Sequence, residues 1–220
     1  EAVIGYAHRY AALAKKEADA CTDPVRKEEL LHIAENCTQV PAKGARNFWE
    51  ACQSFWFIQQ LLQCESSGHS ISPGRFDQYM YPYFKADLDA GRITHEAAQE
   101  LLDCIWVKFN DLNKVRDAAS AEGFAGYSLF QNLIVGGQNE DGEDVTNDLS
   151  YMCMEATVHV ALPMPSLSIR VWNLTPHDLL IKAAAVTREG HGVPAYYNDE
   201  VIIPALMSRG ASLAEARSYC

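Results

Sequence analysis

A short polar segment carries the side chains best placed for chemistry. Residues 65–70 read ESSGHS and directly follow an apolar stretch. An imidazole beside a hydroxyl can both donate and accept hydrogen bonds, and the neighbouring glycine frees the backbone. His69 and Ser70 are therefore candidates for contacts with a small polar ligand. The alternative interpretation is that both side chains only cap the helix that ends there.

Two charged residues, Arg75 and Asp77, follow this segment closely. Opposite charges at this spacing are typical of a buried structural ion pair and also of a catalytic acid or base with a cationic partner. The sequence alone leaves both interpretations open.

Two other patterns that suggest a ligand fail on their spacing. The acidic run NEDGED at residues 139–144 has glycine too early for an EF-hand and a serine where the last glutamate belongs, so we interpret it as a solvated turn. The pair Gly136-Gly137 is not followed by the rest of a dinucleotide fingerprint. A plain turn is the expected structure there.

Composition excludes several classes of function. The chain has 220 residues, 48% of them hydrophobic, and 18 basic against 29 acidic residues give a formal charge of −11. This charge disfavours nucleic acid and anionic membranes as partners. No apolar run is long enough to span a bilayer, and no signal peptide is recognisable. The expected location is the cytoplasm.

The cysteines do not indicate a disulfide framework or a metal site. There are seven of them, with no CxxC pair, and most lie within helical patterns as small hydrophobic residues do. We therefore expect no bound metal. The chain also begins without methionine and stops directly after a predicted helix, so we expect it to be a piece of something longer.

The elements that must position the polar segment are helices. The first half predicts helices at residues 2–20, 24–37, 45–65, 75–90 and 95–120, and no strand before residue 125. The third of these is apolar nearly all round, which predicts burial inside a larger body. A polar turn at the end of a buried helix is a natural place for a binding site.

The second half alternates strands and helices. Strands are predicted at residues 127–135, 166–172 and 193–197, with helices starting behind Thr146, Thr175 and Ser212 and another at residues 200–208. This order predicts parallel β-α-β units. Ligands of such sheets bind beyond the carboxyl ends of the strands, here near residues 130–137, 170–173 and 196–199.

Several long segments resemble one known family. They are FWEACQSFWFIQQLLQCESSGHSISPGRFDQYMYPYF, FNDLNKVRD, YSLFQNLIVGGQ, PSLSIRV and GVPAYYNDEVIIPALMSRG. These segments are similar to the pyruvate-formate-lyase domain of glycyl radical enzymes, most of all to its glycerol or diol dehydratase and eliminating-lyase branch. The resemblance covers residues 47–220, and the first forty residues are compatible helices.

The resemblance implies a fold and a domain organisation. The fold class is α/β, as part of a ten-stranded α/β barrel of the glycyl radical enzyme type. Residues 1–220 would form a partial domain, mainly helical over 1–124 and built of β-α-β units over 125–220. A homodimer is implied for the full-length enzyme, and a bacterial microcompartment is implied as an alternative location within the cytoplasm.

The resemblance also implies a reaction. Members are anaerobic lyases that store a radical on a glycine, installed by a separate radical-SAM activating enzyme, and pass it to a cysteine that abstracts hydrogen from a small-molecule substrate. That cysteine, its neighbouring glutamate and the radical glycine are expected beyond Cys220, so no catalytic residue and no cofactor is assigned to this chain. The dehydratase type of C–O lyase is expected, with C–N or C–S lyase or formate acetyltransferase-like chemistry as alternatives.

The residues carried over from the resemblance are substrate contacts. His69 and Ser70 match a GHS turn that hydrogen-bonds substrate hydroxyls, and Phe130 matches an aromatic residue that packs against substrate. The substrate and its leaving group stay open. A competing hypothesis is a non-enzymatic, truncated barrel relative that acts as a binding or scaffold protein through its uncovered apolar surface.

Overall fold

The first half of the chain is helical, as the sequence predicts. The computed structural model describes residues 1–66, 70–112, 117–123 and 129–219. The helices of the first half are α1 (Ala2–Ala20), α2 (Pro24–Gln39), α3 (Phe48–Glu65), α4 (Phe76–Asp89), α5 (His95–Asp111) and α6 (Ala118–Gly123). Across the described ranges, none of the helices is both long and apolar enough to cross a membrane.

Local capping signals start α2 and α5 where the sequence predicts them. The Asp23 side chain accepts a hydrogen bond from the backbone of Val25, and the Thr94 side chain accepts one from Ala97. The predicted helix 95–120 is too long. It ends at Asp111 because Leu112 has an extended backbone conformation with ψ 109°, and residues 113–116 lie outside the described residues.

Helix α3 is enclosed on one side only. Phe48 and Phe57 are buried, but Ile58 and Leu62 are each 43% exposed. Within the described part of the chain the helix is therefore not covered all round, and its burial inside a larger body stays a prediction. The buried side packs into the main core, which contains Phe76, Met80, Phe84, Leu102, Trp106, Phe109, Leu133, Val135, Leu149 and Leu167.

The second half contains a parallel sheet of three strands in the order β1-β2-β3. The strands are β1 (Asn132–Gly136), β2 (Ser166–Val171) and β3 (Ala195–Asn198), and the helices are α7 (Asp148–Val160), α8 (His177–Arg188), α9 (Asp199–Met207) and α10 (Leu213–Tyr219). Helix α7 connects β1 to β2, and α8 connects β2 to β3. The predicted parallel β-α-β units are thus confirmed.

Two predicted helix starts are wrong by one or two residues. Asn147, and not Thr146, caps α7, and it forms a reciprocal capping box with Ser150. Thr175 does not cap α8, because its hydroxyl accepts a hydrogen bond from the backbone of Trp172 (2.8 Å). The capping box that opens α10 is confirmed, since Ser212 and Glu215 exchange backbone-to-side-chain hydrogen bonds.

The first strand is shorter than predicted and has an unexpected neighbour. It begins at Asn132, since residues 129–131 are not part of it, and residues 127 and 128 of the predicted strand lie outside the described residues. On its free edge, Gly74 forms an isolated parallel bridge with Leu133. The Gly74 backbone donates to Asn132 (3.1 Å) and accepts from Ile134 (2.7 Å). The segment between α3 and α4 is therefore joined to the sheet.

Candidate functional site

Of the two residues in the polar segment that are predicted to hydrogen-bond a substrate, Ser70 lies within the described part of the chain. Ser70 is exposed and has a left-handed backbone with φ 49°. This conformation is unfavourable for a residue with a side chain unless neighbouring contacts hold it. His69 lies outside the described residues, so its predicted contact is left as a prediction.

Buried amide groups hold the backbone next to Ser70. Gln59 and Gln63 lie one helical turn apart on α3 and are only 4% and 3% exposed. Their Nε2 atoms donate to the backbone oxygen of Ile71 at 2.7 and 3.1 Å. A second anchor is the Ser72 hydroxyl, which accepts a hydrogen bond from the backbone of Asn132 (3.1 Å).

The sequence interpretation did not select these glutamines. The signal that could have found them is the pattern QQLLQ within an otherwise apolar helix. Amide side chains that face a core must find partners there. Polar residues at positions i and i+4 of such a helix therefore indicate a buried hydrogen-bonded contact.

Phe130 lies at the same end of β1 as Ser70. It precedes the strand by two residues and is 54% exposed. The bridge between Gly74 and Leu133 places the two segments in parallel, so Ser70 and Phe130 both precede the amino end of β1. This differs from the expectation that ligand contacts lie beyond the carboxyl ends of the strands.

A groove of about 540 Å³ runs beside this turn. Its lining includes Ile71 and Ser72 from the turn, Ile58 and Leu62 from α3, and Tyr83 from α4. Most of these side chains are apolar. The groove can thus accommodate a hydrocarbon surface next to the few polar groups of the turn.

The carboxyl ends of the strands are occupied by a buried ion pair. Arg170 of β2 donates from Nε and Nη2 to the two carboxylate oxygens of Asp199 at 2.9 and 2.7 Å, and both side chains are at most 1% exposed. Gln138 Nε2 also donates to Asp199 (3.2 Å), and its backbone oxygen accepts from Arg75 (3.1 Å). These contacts join β1, β2, α9 and the start of α4.

Asp77 connects three elements from a fully buried position. Its Oδ2 accepts hydrogen bonds from the backbone of Gly136 (2.8 Å) and from the Ser150 hydroxyl (2.6 Å). Its backbone oxygen accepts one from the Asn147 side chain. Asp77 therefore holds the start of α4 against the end of β1 and the start of α7. These contacts favour the structural interpretation of this residue.

The ionisation of Asp77 gives a testable pH dependence. Burial raises the pKa of its carboxyl above the ordinary value, although the hydrogen bonds from Ser150 and Gly136 act in the opposite direction. A carboxyl with a raised pKa stabilises the fold below its unfolded pKa, and this contribution is lost as pH rises through the folded pKa. Asn at this position does not titrate. We therefore expect the free energy of unfolding of Asp77→Asn, relative to wild type, to rise with pH across the interval above about pH 4, the ordinary pKa of an aspartate carboxyl.

The measurement is urea denaturation of both proteins at several pH values in that interval. A difference in unfolding free energy that stays constant, or that falls as pH rises, would show that the carboxyl is not held in its neutral form. Replacing a carboxyl oxygen by an amide group also changes the free energy of unfolding by an amount that does not depend on pH. This amount cancels when the difference between the two proteins is compared at two pH values.

The acidic run at residues 139–144 is a turn, but parts of it contact the protein. Asn139 accepts hydrogen bonds from the backbones of Asp141 and Glu143, which closes the turn locally. The Glu140 backbone oxygen accepts one from Arg217 of α10 (2.9 Å). The turn thus anchors the last helix and is not fully solvated.

Three of the six described cysteines behave as small core residues. Cys37, Cys52 and Cys153 are buried, and burial raises the pKa of the Cys37 thiol to about 11. A thiol in such surroundings stays protonated and is a poor nucleophile. These side chains therefore suit packing.

Comparison with known proteins identifies the family. The family model described as PFL-like, or pyruvate formate lyase-like, matches residues 1–220. The chain belongs to this family. Among curated relatives, it is 41% identical to the isethionate sulfite-lyase of Desulfovibrio desulfuricans over 100% of this chain and 27% of that protein.

Solved structures of this pyruvate formate lyase-like family share the fold. A structure concerned with 1,2-propanediol dehydration in Roseburia inulinivorans is 68% identical, with a TM-score of 0.94, over 98% of this chain and 27% of that one. The glycerol-bound B12-independent glycerol dehydratase from Clostridium butyricum is 60% identical, with a TM-score of 0.92 and the same coverage. The chain thus spans about a quarter of the length of these relatives, which are glycyl radical dehydratases and lyases.

Proposed function

We propose that this chain is the substrate-binding portion of a longer glycyl radical enzyme. The enzyme would eliminate water, or another leaving group, from a small polyol-like substrate. The observation that carries the proposal is the polar turn itself. Ser70 has a left-handed backbone and, like the exposed Phe130, precedes the amino end of β1, and an apolar groove lies beside the turn. The 60% sequence identity between this chain and a glycerol-bound relative supports a diol or triol as the substrate class.

In this proposal, the turn and the aromatic residue bind different parts of the substrate. The Ser70 hydroxyl would accept or donate a hydrogen bond to a substrate hydroxyl, and His69 would add a second polar contact. Phe130 would contact the carbon chain. Together they would orient a small, strongly hydrated molecule in a site that excludes water.

The radical step is assigned to residues outside this chain. By family resemblance, a glycyl radical would supply the chemistry of hydrogen abstraction through a cysteine expected beyond Cys220, and the residues of this chain would hold the substrate. The proposed assembly is a ten-stranded barrel, of which the present sheet would form three strands. A radical-SAM activating enzyme would be the partner that prepares the full-length protein, which we expect to be a homodimer.

The test is replacement of Ser70 by alanine in the activated full-length enzyme. Loss of one hydrogen bond to a neutral substrate hydroxyl is expected to raise KM for 1,2-propanediol or glycerol by about 2- to 12-fold, which corresponds to about 0.5–1.5 kcal/mol. The matched control is Ser208→Ala, since Ser208 is exposed and its hydroxyl contacts only the backbone of its own helix. We expect that variant to retain wild-type kinetics.

Two results would contradict the proposal in different ways. Unchanged KM in Ser70→Ala would reduce this residue to a structural part of the turn. Turnover of isethionate without turnover of either polyol would show that the substrate class is wrong while the family chemistry stands.

A further inference from the structure

One side-chain nitrogen contacts both the residue that follows Ser70 and the residue that follows Phe130. Gln59 Nε2 donates to the backbone oxygen of Ile71 (2.7 Å) and to Oε1 of Gln131 (3.0 Å). Ile71 directly follows Ser70, and Gln131 directly follows Phe130. Helix α3 thus contacts the two predicted binding segments through a single amide group.

The partners of this amide are themselves fixed. Gln131 is fully buried, and its Nε2 donates to the backbone oxygen of Phe109 at the end of α5 (3.0 Å). Gln63 supplies a second hydrogen bond to Ile71 (3.1 Å). A chain of buried amides in a low-dielectric interior is rigid when its members are satisfied and costly when one is removed. These hydrogen bonds therefore connect α3, the turn, the start of β1 and α5.

The chemistry of the position requires a donor with two hydrogens. Both partners of Gln59 Nε2 are oxygen acceptors, so a carboxylate there would face two like dipoles, and a hydrocarbon would leave one buried oxygen unpaired. The Nε2 group of glutamine satisfies both acceptors at once. A residue chosen only for packing in this apolar helix would not need this property.

We propose that Gln59 is a positioning residue that sets the placement of Ser70 relative to Phe130 for substrate binding. This inference rests on the proposed function. The hydrogen bonds at Ile71 and Gln131 hold the two segments at a fixed spacing, and they offset the cost of the left-handed backbone at Ser70. Gln63 supports the same contact from the next turn of the helix.

The test uses Gln59→Leu in the full-length protein, with Gln60→Leu as the matched control. Gln60 is adjacent on α3 and also donates one side-chain hydrogen bond, but to the Tyr6 hydroxyl of α1 (3.1 Å) and not to the turn. Hydrogen–deuterium exchange of the peptide covering residues 70–74 reports the turn directly, because the Gly74 amide is bonded to Asn132. We expect faster exchange there in Gln59→Leu and wild-type exchange in Gln60→Leu.

Binding of glycerol and of 1,2-propanediol to the non-activated protein, measured by calorimetry, reports the role in binding. We expect Gln59→Leu to raise the Kd about tenfold. Because Gln59 would act through Ser70, its effect should largely disappear in a Ser70→Ala background, whereas a purely structural effect would add to that of Ser70→Ala. Gln63→Leu, which keeps the Gln59 contacts, should give a milder form of both results and serves if Gln59→Leu does not fold.

The outcomes distinguish a failure of this inference from a failure of the proposed function. Unchanged exchange at residues 70–74 in Gln59→Leu, or additive losses of affinity with Ser70→Ala, would overturn the positioning role while leaving polyol binding intact. Failure of the wild-type protein to bind either polyol would overturn the proposed substrate class. In that case the exchange experiment would still decide whether Gln59 holds the turn.

Discussion

Replacement of Asp199 by alanine is expected to lower the free energy of unfolding by about 3–5 kcal/mol. The change leaves the Arg170 guanidinium without its counter-charge in a position that is 1% exposed. It also removes the acceptor of Gln138. A buried cation cannot regain its hydration without opening the structure, so most of the cost falls on the folded state. Urea denaturation of the full-length protein measures the loss.

A surface ion pair of the same chain provides the matched control. Lys182 contacts Glu155 at 2.8 Å, with side chains that are 31% and 43% exposed. Glu155→Ala is expected to cost at most about 1 kcal/mol, because water replaces the lost partner. A loss for Asp199→Ala no greater than for Glu155→Ala would show that the buried pair is hydrated or unimportant.

A double replacement tests the physical cause. Combining Arg170→Met with Asp199→Leu replaces both charged side chains by apolar ones, and such exchanges of a buried pair are often close to neutral. We therefore expect the double variant to recover much of the stability that Asp199→Ala loses. Failure to recover would indicate that the hydrogen bonds to neighbouring residues, and not the unpaired charge, account for the loss.

Local features of the structure could be predicted because their causes are local. The caps at Asp23, Thr94 and Ser212 act on backbone groups within three residues, so the sequence pattern contains the whole interaction. The alternation of Leu167 and Ile169 in β2 similarly reports one apolar face. The order of strands and helices then follows from the preference for right-handed crossovers.

Local patterns fail where tertiary contacts choose between local options. Thr146 and Asn147 are both acceptable caps for α7 by type. Asn147 is used because its side chain also donates to Asp77, which in turn accepts from Ser150. These partners are 70 and 73 residues apart in sequence. No window of local sequence contains that information.

The same contrast between local and long-range contacts applies to the candidate site. The sequence selects Ser70 through its place in the polar segment as well as through family resemblance, and it selects Phe130 through the resemblance alone. Their predicted roles are proposals that the kinetic and binding experiments test. The contact of Gln59 with Gln131 spans 72 residues, and that of Arg170 with Asp199 spans 29. These two contacts, which stabilise opposite ends of the sheet, could therefore be identified only from the three-dimensional structure. The exposed side of α3 likewise could not be inferred, because the helix composition indicates burial whether or not other chain segments cover it.

A second large loss of stability is expected from Gly137→Ala, again through Arg170. Gly137 has φ 85°, and an added Cβ would lie 2.6 Å from Nε and 2.9 Å from Cβ of Arg170. The Arg170 Cβ cannot move away without shifting β2, and its guanidinium cannot move without leaving Asp199. We expect a loss of about 3–5 kcal/mol, similar to breaking the ion pair.

The control separates this clash from the cost of the backbone conformation alone. Gly190 has nearly the same φ of 83° after α8, but nothing lies within 4 Å of the position that an added Cβ would take there. Gly190→Ala should therefore cost only the left-handed strain, about 1–2 kcal/mol. In an Arg170→Ala background, the cost of Gly137→Ala should fall but stay above that of Gly190→Ala, because the guanidinium is no longer there to be displaced while the Cβ atom at position 170 remains 2.9 Å away. Equal costs for the two glycine variants in the wild-type background would contradict the close approach of Arg170 to Gly137.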